Sequence, residues 1–173
     1  NHHLQWGYKV FDRRRDEVEP LIRQALDDGR ALEIGLYAHD PATHDFLDSM
    51  LPGSGCLLNT HLDHRRLNVF ALDDDDLIPL LRRQIENSLK WGANYAVNHL
   101  SAFTLPRRPE YQQALEQKLT THLRILNRLC REYDFPVHIE NTYHEIELYR
   151  RVMLNTQHEG LDHLHFCFDF GHA

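Results

Sequence analysis

Short apolar runs that stop on an acid or an imidazole govern what this chain can become. The clearest are Val137 to Glu140 (VHIE) and His165 to Phe168, which leads into Asp169, Gly171 and His172. Each is long enough for a strand and too short for a helix. Each delivers a carboxylate, Glu140 or Asp169, where the backbone would leave the sheet. Gly171 lets the chain turn, and His172 follows within reach of the same space. An acid and an imidazole three residues apart suit a shared metal ion or polar substrate. One helical stretch, Tyr143 to Gln157, separates the two runs. That connection makes the strands parallel, and ligands collect at the carboxyl ends of parallel strands.

The same rhythm runs through the whole chain. Strands are expected at Trp6–Phe11, Ala31–Ala38, Cys56–Leu62 and Asn94–Leu100 as well. Helices are expected at Asp16–Asp28, Pro41–Met50, Leu77–Trp91 and Glu110–Tyr133. Asp16 is the expected N-cap of the first, and Gly29 its stop. The acidic run Asp73–Asp76 reads as a helix start facing the positive end of the dipole. No hairpin signal and no linker interrupts the series, so residues 1–173 read as one domain. The expected class is α/β, a (β/α) TIM barrel. About six βα units are present, whereas a full barrel takes eight units and roughly 250 residues. The barrel is therefore expected to be incomplete, lacking strands seven and eight at the C-terminal side. His39, His61, His99, Glu140 and Asp169 all fall at or just past strand ends, which gathers them on one face.

Composition removes several classes. No apolar run is long enough for a membrane-spanning helix, and the start shows no signal-peptide pattern. A formal net charge of −7 disfavours a protein whose affinity rests on neutralising phosphates, so nucleic acid is not the expected partner. Three widely spaced cysteines make neither a disulfide framework nor a C-x-x-C zinc site, which fits a reducing, cytoplasmic setting. No glycine-rich phosphate cradle follows any strand. The 14 histidines are the unusual figure and suit metal chemistry. His122, His144 and His158 are expected on helix surfaces. Glu33 is expected to be buried and paired, and to line the pocket base. His138 and His165 share the facing of the strand-end acids but lie deeper.

Three segments, NHLSAF from Asn98, HIENTYHE from His138 and CFDFGHA from Cys167, match in order and spacing the xylose-isomerase-like TIM-barrel superfamily. The chain resembles that group of sugar isomerases, sugar-phosphate epimerases and endonuclease-IV-like apurinic endonucleases. The resemblance implies that Glu140 and Asp169 are metal ligands and that Glu140 doubles as an acid/base residue in the epimerase branch. It implies that His172 touches substrate hydroxyls or binds an additional zinc. His99, and His61 with His64 as competitor, match zinc ligands of the endonuclease branch. Asn141 is expected to touch substrate, together with His61 and His172. The implied cofactor is a divalent ion, Mn, Zn, Co or Mg.

Two activities follow as expectations. The leading one is a divalent-metal-dependent isomerase or epimerase. It acts on a small sugar, sugar phosphate or keto acid by moving a proton alpha to a carbonyl. The alternative is zinc-dependent phosphodiester hydrolysis, with Arg65–Arg66 or Arg107–Arg108 as possible phosphate contacts. A non-catalytic binding protein on the same fold is the third reading. The unpaired sheet edges of an unfinished barrel make a homo-oligomer possible.

Overall fold

The computed structural model describes residues 6–67, 74–100, 108–142 and 146–172. Asp73, Arg107, His144 and Ala173, with parts of the NHLSAF and HIENTYHE segments, lie outside them. Within the described residues, six strands alternate with five helices: β1 (Gly7–Phe11), α1 (Arg15–Asp27), β2 (Ala31–Gly35), α2 (Pro41–Met50), β3 (Leu58–His61), α3 (Asp74–Lys90), β4 (Ala96–His99), α4 (Pro109–Tyr133), β5 (Val137–Glu140), α5 (Ile146–His158) and β6 (Leu164–Cys167). A 3₁₀ turn at Phe170–His172 follows. All strands are parallel and pair in chain order, β1 to β6. This is the open sheet of an incomplete barrel.

The strands are double-faced in an instructive way. One face carries Val10, Leu32, Ile34, Leu58, Ala96, Val137, Ile139 and Leu164, all buried. These pack against Ile22 and Ala25 of α1, Leu47 of α2, Leu81 and Ile85 of α3, Leu126 of α4 and Val152 of α5 in one core. Even the polar Thr60 on this face is satisfied, its hydroxyl 2.6 Å from Ser88 of α3. The other face is mostly polar, Val97 being a buried apolar residue on it. Lys9 and Glu33 pair at 2.7 Å, and Asn59 donates to Glu33 at 2.7 Å. Tyr95 stacks on His138 at 4.2 Å between centroids, and His138 meets His165 at 5.3 Å. Alternation along each strand puts the strand-end residues His61, His99 and Glu140 on this same inner face.

Several local expectations shift. The N-cap of α1 is Arg14, without a side-chain cap bond, and Asp16 lies in the first turn. At α2 the cap is a true one, with Asp40 accepting from the Thr43 amide at 2.9 Å. Asp74–Asp76 form the first turn of α3, as the dipole argument requires. β6 ends at Cys167, not Phe168. His122 is buried, 2% exposed, rather than a surface group. α4 is covered more widely than a single apolar stripe, with His122 and Asn127 buried beside Leu119, Leu123 and Leu126.

Candidate metal centre

Three strand ends converge. His61 closes β3, His99 closes β4 and Glu140 closes β5, with His99 and Glu140 in register. The Nε2 atoms of His61 and His99 stand 3.1 Å apart. Glu140 Oε2 is 2.6 Å from His99 Nε2 and 3.3 Å from His61 Nε2. Three ligands held at about 2.0–2.1 Å around one tetrahedral ion lie roughly 3.3 Å from one another. The donor set therefore fits a divalent ion of borderline softness, with two imidazoles and one carboxylate.

The surroundings fix these donors. His61 Nδ1 faces the Leu62 carbonyl at 3.0 Å and the Tyr37 hydroxyl at 2.6 Å. With Nδ1–H donated to the carbonyl, Nε2 can turn its lone pair to an ion once the ion replaces the hydrogen bond that Nε2 shares with Glu140 in the metal-free chain. His99 and His61 are buried, and Glu140 is nearly so, its side chain 12% exposed. Burial alone would raise the Glu140 carboxyl, but hydrogen bonds from His61 and His99 outweigh it. They hold Glu140 well below the usual carboxylate range. His64 stacks on His99 at 4.2 Å, and burial followed by its imidazole neighbours pushes it down to about 4. Burial lowers His99 too, against the opposing pull of Glu140. Cys167 is pushed up to about 12 by burial and by Glu140, so it stays a thiol.

His172 reaches the cluster from the turn after β6. A donor atom of each of His99, Glu140 and His172 falls within 4.8 Å of the others, as it does for His61, His64 and His99. Asp169 stands one contact further out, its Oδ2 3.7 Å from His172 Nε2. Its Oδ1 accepts from the Gly171 amide at 2.6 Å, which shapes the turn. Asn141 is tied to the β6 loop. It is 4% exposed and spends its amide on the Asp169 backbone: Oδ1 accepts from the Asp169 N–H at 2.5 Å and Nδ2 donates to the carbonyl at 3.0 Å. It positions the β6 loop. The Tyr149 hydroxyl does similar work, lying 2.9 Å from the Ile139 carbonyl and 2.8 Å from that of Cys167.

Sequence reasoning missed Tyr37 and Asp12. Asp12 is fully buried and accepts from the amides of Tyr37, Ala38 and His39 and from His44 Nε2 at 2.8 Å. It holds the loop that carries Tyr37, and it keeps His39 at a left-handed φ of 55°. The signal was available: Val10-Phe11-Asp12 is itself an apolar run ending in an acid. Glu33 is paired on the inner face as expected, below the site, but it is half-buried rather than buried.

A six-stranded parallel sheet with carboxylates and imidazoles at its carboxyl ends defines the class: this is the fold of the xylose-isomerase-like TIM-barrel proteins. Among solved structures, the chain is similar to the TTHB071 protein from Thermus thermophilus, soaked with ZnCl2. The identity is 25% and the TM-score 0.73, over 98% of this chain and 68% of that one. It is similar to the 3-keto-D-glucoside 4-epimerase YcjR from E. coli, at 15% identity and TM-score 0.68, over 98% of this chain and 70% of that one. Endonuclease IV from Thermus thermophilus shares the fold at 19% identity and TM-score 0.58, over 98% of this chain and 64% of that one. The chain thus spans about two thirds of the length of these proteins. No protein-family model and no curated protein sequence matches it.

Proposed function

We infer that the protein is a divalent-metal-dependent enzyme, and that it hydrolyses a phosphoester. The observation behind this is the convergence of His61 Nε2, His99 Nε2 and Glu140 Oε2 within 3.3 Å. His61, His99 and Glu140 would hold one ion, and His172 with Asp169 would serve the adjoining position. An ion bound there supplies Lewis-acid polarisation of a phosphoryl or carbonyl oxygen. Glu140 is then committed as a ligand, with both imidazoles on one of its oxygens. The imidazole-rich donor set, with His172 beside His61 and His99, suits zinc, which favours the hydrolase reading over the isomerase one. His64, neutral and stacked against His99, excludes water from one side of the centre. Tyr37 and the Leu62 carbonyl keep His61 in one tautomer.

A second reading keeps the isomerase or epimerase activity on a sugar. The sugar epimerases among the fold neighbours favour it, as does the net charge of −7. Two assays on the zinc- or manganese-loaded protein separate the readings. Release of p-nitrophenol from bis(p-nitrophenyl) phosphate, lost in His61→Ala, supports the hydrolase. Deuterium uptake from solvent at the carbon next to a ketose carbonyl, with no phosphodiester turnover, would replace it with the epimerase.

A further inference from the structure

Beside the metal centre lies a cavity of about 400 Å³ that the metal ligands do not use. Phe11, Arg13, Tyr37, Ala38, His64 and Arg65 line it. The size is that of a small-molecule site. Two arginines are among its lining residues and, among the described residues, no carboxylate lines it, in a chain whose net charge is −7. Its body is aromatic: the Phe11 and Tyr37 rings meet at 5.4 Å and 46°. The Arg65 guanidinium lies over the Tyr37 ring at 5.1 Å and donates from Nη2 to the Tyr37 carbonyl at 3.2 Å. Asp63 stands behind it, 3.7 Å from Arg65 Nε. Arg13 is braced through Nε by Glu17 at 2.9 Å. Each arginine is thus oriented by one side and has further N–H donors for a ligand.

The cavity and the metal centre share two walls. Tyr37 touches His61 with its hydroxyl, and His64 stacks on His99. A molecule seated between the arginines has its other end one side chain from the convergent Nε2 atoms.

We propose that this cavity is the substrate-recognition subsite, and that it takes a non-reacting phosphoryl group of a small molecule whose body packs on Phe11 and Tyr37, while the phosphoester to be cleaved lies at the metal centre. The planar guanidinium fork matches phosphate oxygens, and an aromatic floor favours a compact ring or sugar over an extended polymer. The assignment of substrate class rests on the hydrolase reading, but the binding step itself does not.

The test is titration of phenyl phosphate, with phenol as the uncharged control, followed by calorimetry and by NMR chemical shifts. It is run on the metal-loaded protein and after chelation, with circular dichroism to confirm the fold. Arg13 and Arg65 side chains are 58% and 61% exposed, so Arg13→Gln and Arg65→Gln leave the core intact. Phenyl phosphate should bind both forms, and the double variant should weaken it at least tenfold while phenol stays unchanged. Binding that vanishes with the metal yet ignores both arginines would overturn the subsite and leave the hydrolase reading standing. Arginine-dependent binding alongside sugar deuteration would do the reverse.

Discussion

At the scale of single residues, the site depends on how its donors are held. Glu140→Gln removes the charge that balances the ion and should lower zinc affinity by more than about 100-fold, since loss of even a supporting partner costs about 10–100-fold. Metal analysis of the dialysed variant checks this. Tyr37→Phe leaves the ligands in place but removes the hydroxyl at His61 Nδ1; it should cost about tenfold in affinity, with the fold unchanged. Asp12→Ala strips an acceptor from three amides and should destabilise the chain by about 3 kcal/mol in urea unfolding. The pH dependence has a definite sign. His64 titrates near 4 in the fold against 6.5 in an open chain. The unfolded state then binds more protons between those values, so metal-free stability is present above pH 6.5 and falls as pH drops towards 4. His64→Phe should flatten part of that slope. Asp12 acts the same way lower down, its folded carboxyl lying below 3.8 despite burial, because His44 and the loop amides bind the anion.

At the scale of elements, the close approach at Gly35 stands out. A Cβ there would come within 2.7 Å of the Phe11 and Tyr37 rings. Gly35→Ala should therefore push Tyr37 off His61 and lower metal affinity along with stability, the latter by about 1–3 kcal/mol. Thermal melts with and without zinc separate the two effects. The elements were the most readable part of the sequence. β5 and α2 fall on their expected residues, β1 to β4 lie within theirs, and β6 begins and ends one residue earlier than expected. Helical period and glycine stops are local signals, and they carried. Glu140, His99 and His61 were readable as strand-end residues because a parallel strand must deliver its last side chain to one face. Asp12 could have been read the same way, from its place at the end of β1, but its bond to the Tyr37 amide and the bond of Tyr37 to His61 could not, because they join residues 25 and 24 positions apart. The bond from Asn141 to the Asp169 backbone was hidden for the same reason, because a helix separates the two in sequence.

At the scale of the molecule, β1 and β6 each have a single strand neighbour among the described residues. Trp6, Phe168 and Phe170 are exposed close to those edges, Phe170 at 86%. A chain of this extent should self-associate as concentration rises and should bind anilinonaphthalene sulfonate. Light scattering and dye fluorescence test it; a dye-silent monomer at high concentration would show that the edges are closed by other means.

The two-faced sheet has a further consequence. Nearly all of the apolar packing lies on the helix side, while the bore is lined by Lys9, Glu33, Asn59, Tyr95, His138 and His165. Folding and chemistry are thereby written on opposite faces of the same six segments. New specificities can be tried in the lumen, one residue in two, while the scaffold that presents them goes on assembling from the letters in between.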